Sequence, residues 1–250
     1  MKKLLIIVAI LLTTCSLNAQ VKKLVHRINS TVESETIEFR YNAKNQLVFF
    51  SEMGIAFYRE YSLKYDKSDR LVERNMNRDR GDIITNIRYT YTSPDYVTEN
   101  VSMRGKLQGR ATESNRIHID SLGRLTKTTF ADEVLWEEFN YDNNNNLTRY
   151  IFHFVADGGQ RDIDYTYGND ISPFANIQNL PEWFWAYHMN NLKWCAEFMG
   201  KNSATSFDID DTRVNDSEAV ITYEYDQDGY PVKQFYNGEI AREFVYRKAQ

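Results

Sequence analysis

Trp183, Trp185, Tyr187 and Trp194 crowd one stretch of the chain. Exposed rings of this kind stack on sugars or anchor protein partners, which makes them the candidate ligand-binding set. The competing reading is a buried apolar helix face covering the rest of the fold. Asp208, Asp210, Asp211 and Asp216, with Glu218, form a denser acidic group. Several carboxylates together suit a hard cation such as calcium, although charge runs more often face solvent. Asp226-Gln227-Asp228-Gly229 opens like a calcium loop but lacks the third acidic ligand and the closing Glu. His26, His118, His153 and His188 are scattered without ligand spacing. Neither a nucleophile motif nor a phosphate loop, dinucleotide fingerprint or zinc pattern occurs. The sequence therefore names no catalytic residue and implies no cofactor.

The elements that must position these residues are β-hairpins. Ile37, Phe39 and Tyr41 alternate with Glu38 and Arg40, and Tyr61, Leu63 and Tyr65 alternate with Ser62 and Lys64. Ile87, Tyr89, Tyr91 and Ile163, Tyr165, Tyr167 repeat the pattern. Such alternation puts one aromatic face toward a core and one charged face toward water. Each run ends in a turn of one type. A short polar residue starts it, a residue tolerant of φ > 0 follows three positions later, and an apolar residue comes two beyond that. Tyr41-Asn42 leads to Asn45 and Leu47, Tyr65-Asp66 to Asp69 and Leu71, and Tyr91-Thr92 to Asp95 and Val97. Ile119-Asp120 leads to Gly123 and Leu125, Tyr141-Asp142 to Asn145 and Leu147, and Tyr225-Asp226 to Gly229 and Pro231. Asn42, Asp66, Asp120, Gly123, Asp142, Asp226 and Gly229 are thus read as turn residues rather than as a site. A further copy opens at Tyr167-Gly168 and loses the pattern at Ile171.

There the composition changes. Ser172-Pro173 and Leu180-Pro181-Glu182 read as helix starts. Gly200 is placed to end the second helix, whose apolar face would hold Phe184, His188, Leu192, Cys195 and Met199. A helical insert is expected over about 170–218, before the last hairpin.

Residues 1–19 read as a secretory signal peptide, with Lys2 and Lys3 ahead of the apolar run Leu4–Leu12. An exported protein, periplasmic, cell-surface or secreted, is the expectation, with 20–250 as one β-repeat domain. Lipidation at Cys15 is the minor reading, because Thr14 is a poor fit for the small residue that normally precedes such a cysteine. Removing residues 1–19 deletes two lysines and no acid, moving the net charge from −5 to −7. That acidity, with no basic tract, argues against nucleic acid as partner. No second long apolar run exists to form a transmembrane helix. Only Cys195 remains beyond the leader, so no disulfide staples the mature chain.

Ile119-Asp120-Ser121-Leu122-Gly123-Arg124-Leu125-Thr126 resembles the YD repeat of the RHS family, and Tyr225-Asp226-Gln227-Asp228-Gly229 is similar. In that family many such repeats build a β shell around a toxin. The chain also looks like short secreted YD-repeat proteins of Gram-negative bacteria, a domain of unknown function, from residue 33 to 247. The resemblance implies a repeat fold and transfers no activity.

The expected architecture is mainly β, a meander of about seven antiparallel hairpins and so about fourteen strands. The sheet should be strongly curled or partly closed, with the insert packed on its concave face. The expected function is a non-enzymatic binding or scaffold module for a glycan, a peptide or a cell-surface protein. One alternative is a polysaccharide-directed hydrolase with carboxylates assembled from several hairpins. The other, ranked last, is an outer-membrane β-barrel. It is disfavoured because strands such as Ser62-Leu63-Lys64-Tyr65 would turn their aromatic face to lipid and the insert would have to plug the lumen.

Overall fold

The computed structural model describes residues 21–105, 109–184, 195–198, 200–213 and 215–250. The strands are β1 (Lys23–Ser30), β2 (Glu35–Tyr41), β3 (Leu47–Gly54), β4 (Tyr58–Tyr65), β5 (Leu71–Arg78), β6 (Ile83–Thr90), β7 (Tyr96–Gly105) and β8 (Gly109–Ile119). The second half supplies β9 (Leu125–Phe130), β10 (Leu135–Tyr141), β11 (Leu147–Phe154), β12 (Gly159–Ile171), β13 (Asn202–Asp211), β14 (Ser217–Tyr225), β15 (Pro231–Tyr236) and β16 (Glu239–Lys248). Each pairs antiparallel with its chain neighbours, and β1 pairs with β16 from Lys23↔Lys248 to Ser30↔Arg242, closing a barrel. Closure removes the two sheet edges that an open array of this size would expose.

This corrects the expected fold. The sheet is a closed barrel of sixteen strands, not a strongly curled or partly closed sheet of about seven hairpins carrying a helix on a concave face. The YD-repeat reading is corrected with it, since these hairpins close on one another instead of forming an open repeat shell. The barrel ranked last from sequence has the closed architecture that the chain adopts.

Local chemistry shapes one rim. In five hairpins the strand residue before the turn pairs with the residue six positions on, with a register shift beside it: Tyr41↔Leu47, Tyr65↔Leu71, Ile119↔Leu125, Tyr141↔Leu147 and Tyr225↔Pro231. The carboxylate of Asp120 shows why. Its Oδ1 accepts from Leu122 N at 2.9 Å and Arg124 N at 3.0 Å, while Gly123 donates to Asp120 O with φ +80. Asn45, Asp69 and Asn145 hold φ of 59, 60 and 66 at the matching place, where short polar side chains tolerate the left-handed region. Asp95 departs from this geometry: its N–H bonds Ser93 Oγ at 3.1 Å and its carbonyl accepts from Ile119 N.

The alternation turns the apolar face inward. Ile37, Phe39, Phe50, Tyr61, Leu63, Ile87, Tyr89, Ile117, Phe139, Tyr150, Tyr165 and Phe244 are buried inside the wall. Their neighbours Glu38, Arg40, Lys64, Arg88, Asn100 and Glu243 point outward. Of the large exposed apolar residues, Met53, Val220 and Val245 stand on the outer wall, and Val32, Ile55, Leu122, Val134 and Val155 lie in turns.

A wall of sixteen strands encloses a channel unless something fills it. Here the described residues of the connection between β12 and β13 pack into it. Phe174 meets Phe39 and Phe198 edge-on at 5.6 and 5.5 Å, Phe184 meets Phe50 at 6.4 Å, and Phe198 meets Phe244 at 5.4 Å. Of the expected helices, Ser172-Pro173 starts a turn; after Leu180-Pro181-Glu182, Trp183 and Phe184 are helical, and the other described helical stretch is the single turn α1 (Cys195–Phe198). His188, Leu192 and Met199 lie outside the described residues, as do the expected leader and Cys15.

Candidate functional site

Three successive inward pairs of β12 and β13 build one wall of a cleft: Arg161↔Asp211, Ile163↔Ile209 and Tyr165↔Phe207. Strand periodicity alone places them on one face. Tyr150 of β11 lies beside them, and Glu33, Glu197, Tyr236 and Arg242 face them. Val32, Asn215 and Ser217 stand at the mouth, on the rim opposite the five aspartate and asparagine turns. The cavity measures about 240 Å³.

Its charged groups are tied to one another. Arg161 Nε donates to Asp211 Oδ2 at 2.5 Å. Arg242, 1% exposed, donates through Nη2 to Glu33 Oε1 at 2.5 Å and through Nη1 to Glu197 Oε2 at 3.1 Å and Gln234 Oε1 at 2.7 Å. Glu197 also accepts from Gln234 Nε2 at 2.8 Å and from the Tyr236 hydroxyl. Burial pushes the Glu197 carboxyl up, against the pull of Arg242, Tyr236 and Gln234. Burial opposes the Arg242 charge, and Glu197, Tyr236 and Glu33 more than restore it. Phe207 and Tyr236 meet edge-on at 5.4 Å and form the aromatic side of the cleft.

Further buried acids line the lumen. Glu137 is fully buried and accepts from Thr128 Oγ1 at 2.8 Å and Tyr150 OH at 2.9 Å. Burial lifts its pKa to about 8 against those two donors, with Glu99 adding to the rise. Glu52, bonded by Tyr61 OH at 2.9 Å, is lifted by burial to about 7.

The residues singled out from sequence scatter. Trp183 is 2% exposed, with its ring 4.8 Å from Tyr89, so it packs in the lumen and presents no stacking face to solvent. Trp185, Tyr187 and Trp194 lie outside the described residues. Asp208 and Asp210 point outward from β13, whereas Asp211 points inward to Arg161. Asp216 Oδ1 accepts from Asp211 N at 3.4 Å. Strand alternation thus splits the three aspartates of β13 between two faces, Asp216 lies in the turn before β14, and no group of three or more metal-ligating side chains converges among the described residues. Asn42, Asp66, Asp120, Asp142 and Asp226 each accept from the backbone of their own turn.

Sequence reasoning missed the cleft altogether. Glu33, Arg161, Glu197 and Arg242 come from four distant segments, and none has a local motif. The signal present was an inward charge: Arg161 and Arg242 occupy the core-facing phase of their strands. Also missed was a ladder of tyrosine hydroxyls near the turn-bearing rim. Tyr41 donates to Val25 O at 2.7 Å, Tyr65 to Leu47 O at 2.8 Å, Tyr91 to Leu71 O at 2.7 Å and Tyr167 to Leu147 O at 2.6 Å.

No protein-family model matches the chain, and no curated protein matches it. Among solved structures it is similar to a porin-like protein from Bacteroides uniformis, at 14% identity and a TM-score of 0.50, over 89% of this chain and 95% of that one. A porin-like protein from Bacteroides vulgatus aligns at 10% identity and a TM-score of 0.40, over 90% of this chain and 99% of that one. The first likeness shows that the chain shares the fold of a porin-like β-barrel, and that fold overturns the assignment to a YD-repeat, RHS-like module.

Proposed function

We propose that this chain is an exported β-barrel that binds a small ligand in the cleft of β12, β13 and β16, and that its filled lumen does not conduct. The observation that carries the reading is the polarity of the wall. A barrel in lipid needs an outward apolar band about 25 Å tall and tolerates a polar interior. This barrel instead lines its inside with aromatic residues and a set of buried charges, and carries charged residues such as Arg40, Lys64 and Arg88 on its outer wall. On three adjacent strands Asp162 stands opposite Asp210, Asp164 opposite Asp208, and Asp208 opposite Glu218, all on the outer wall. Of these, Asp164 and Asp208 lie well inside β12 and β13, where a carboxylate suits water and not hydrocarbon.

The porin-like fold favours a second reading, a barrel that spans the outer membrane. Purification without detergent separates the two. The proposal expects a monodisperse monomer in plain buffer and no ion conductance when the protein is added to a planar bilayer. A protein that needs detergent to stay dispersed and opens channels establishes the second reading instead.

A further inference from the structure

We infer that the ligand of the cleft is a neutral sugar, bound as a single ring; the inference rests on the binding function proposed above. The argument begins with charge. Each guanidinium facing the cleft is already met by carboxylate: Arg161 by Asp211, and Arg242 by Glu33 and Glu197. Among the described residues that line the cleft, no arginine is left over to hold an anion. The carboxylates are occupied too. Glu33 accepts from Ser30 and Arg242, Glu197 from Gln234, Tyr236 and Arg242, and Asp211 from Arg161 and Arg213 N. A cationic ligand would have to break one of these pairs, and uncovering a buried charge costs several kcal/mol.

The cleft therefore presents paired, fixed hydrogen-bonding edges, two guanidiniums against three carboxylates, with the Glu197 carboxyl pushed up by burial. Beside those edges stand aromatic faces, Tyr236 and Phe207, with Ile163 and Ile209 continuing the apolar side. An apolar face next to a dense set of donors and acceptors is the complement of a pyranose, which carries C–H groups on one face and hydroxyls around its edge. Asn215 and Ser217 add an amide and a hydroxyl at the mouth. Size agrees. The cavity of about 240 Å³ lies under the roughly 300–1,000 Å³ usual for drug-sized ligands, so it suits one ring and not a chain.

The test is titration of the whole mature protein, by calorimetry and by saturation-transfer NMR. The probes are glucose, galactose, mannose and N-acetylglucosamine, with glucuronate and glucosamine as charged counterparts and indole and benzoate as non-sugar controls. The inference expects at least one neutral sugar to bind at least tenfold more tightly than its charged counterpart. Phe207→Ala should weaken that binding at least tenfold, and Ile209→Trp, which fills the cleft, should abolish it. Both variants are first checked for an unchanged circular dichroism spectrum. Should Phe207→Ala misfold, Ile209→Trp and Ser217→Trp at the mouth carry the test. Binding of a charged or non-sugar probe in the cleft, with no neutral sugar bound, overturns the sugar assignment and leaves the binding function standing. Sugar binding that Ile209→Trp and Ser217→Trp leave intact also overturns the assignment. Binding of none of the probes overturns both.

Discussion

Arg242 of β16 and Glu197 of the lumen connection meet at 3.1 Å, both out of water, and join the plug to the wall. Removing one partner of such a pair strands the other as a buried charge. Arg242→Ala should therefore lower the stability of the barrel by about 3–5 kcal/mol. Glu197→Gln should cost less, because Arg242 keeps Glu33 at 2.5 Å. Urea unfolding of the two variants checks the order. Equal losses would mean that the plug is held by its aromatic contacts alone.

Stability should also depend on the state of Glu137. Its folded pKa of about 8 lies above the ordinary value of 4.5, so the native state keeps a proton that the unfolded chain has released. The barrel therefore loses stability as pH rises from about 4.5 to about 8, by up to about 5 kcal/mol from this group. Glu52, lifted to about 7, acts in the same sense over a narrower window. Glu137→Gln is uncharged at every pH; its Oε1 can accept from one of the Thr128 and Tyr150 hydroxyls, and its Nε2 can donate to the other. Its advantage over the wild type should grow steadily between pH 5 and 8 in denaturant unfolding. A constant difference across that range would show that Glu137 does not titrate there.

The hairpin turns predict a graded response at Gly123. Its φ of +80 is in the left-handed region, and a Cβ there would meet nothing within 4 Å. Gly123→Ala should cost about 1 kcal/mol from backbone conformation alone. Gly123→Asn should cost less, since Asn45 and Asn145 hold φ of 59 and 66 in the sister turns. Thermal unfolding midpoints rank the two. A loss as large for Asn as for Ala would contradict the equivalence of these turns.

The tyrosine ladder separates two residues that look alike in sequence. Tyr65 donates to Leu47 O at 2.8 Å, whereas the buried Tyr141 hydroxyl has no hydrogen-bond partner among the described residues. Tyr65→Phe should cost about 1 kcal/mol, and Tyr141→Phe should cost nothing or stabilise slightly. Urea midpoints that move together would rule out a role for the inter-hairpin bond.

Phe198 tests the plug directly. It is 1% exposed and meets Phe174 and Phe244 edge-on at 5.5 and 5.4 Å. Truncating it to Ala should cost about 3–5 kcal/mol, as for a ring deep in a packed core. The unfolding free energy in urea reports it, and a loss below about 1 kcal/mol would place the connection outside the cooperative core.

What the chain encodes locally was legible residue by residue. The alternation at Ile37, Phe39 and Tyr41 specifies a half-buried strand, and Asp120 with Gly123 specifies a turn, because both depend on neighbours within a few positions. Closure is different. Whether β1 meets β16 depends on the twist and stagger accumulated over every intervening strand, and no single hairpin carries that information. The destination of the β12–β13 connection was hidden for a related reason: its aromatic residues suit any apolar surface, and only a closed wall makes the lumen the one they fill. The cleft depends on both. Arg161 was visible as a charge in the inward phase of a strand, but its partner Asp211 read as part of an acidic loop. The tertiary structure decided their meeting, because a charge turned inward in a closed barrel must find its counter-charge across the sheet.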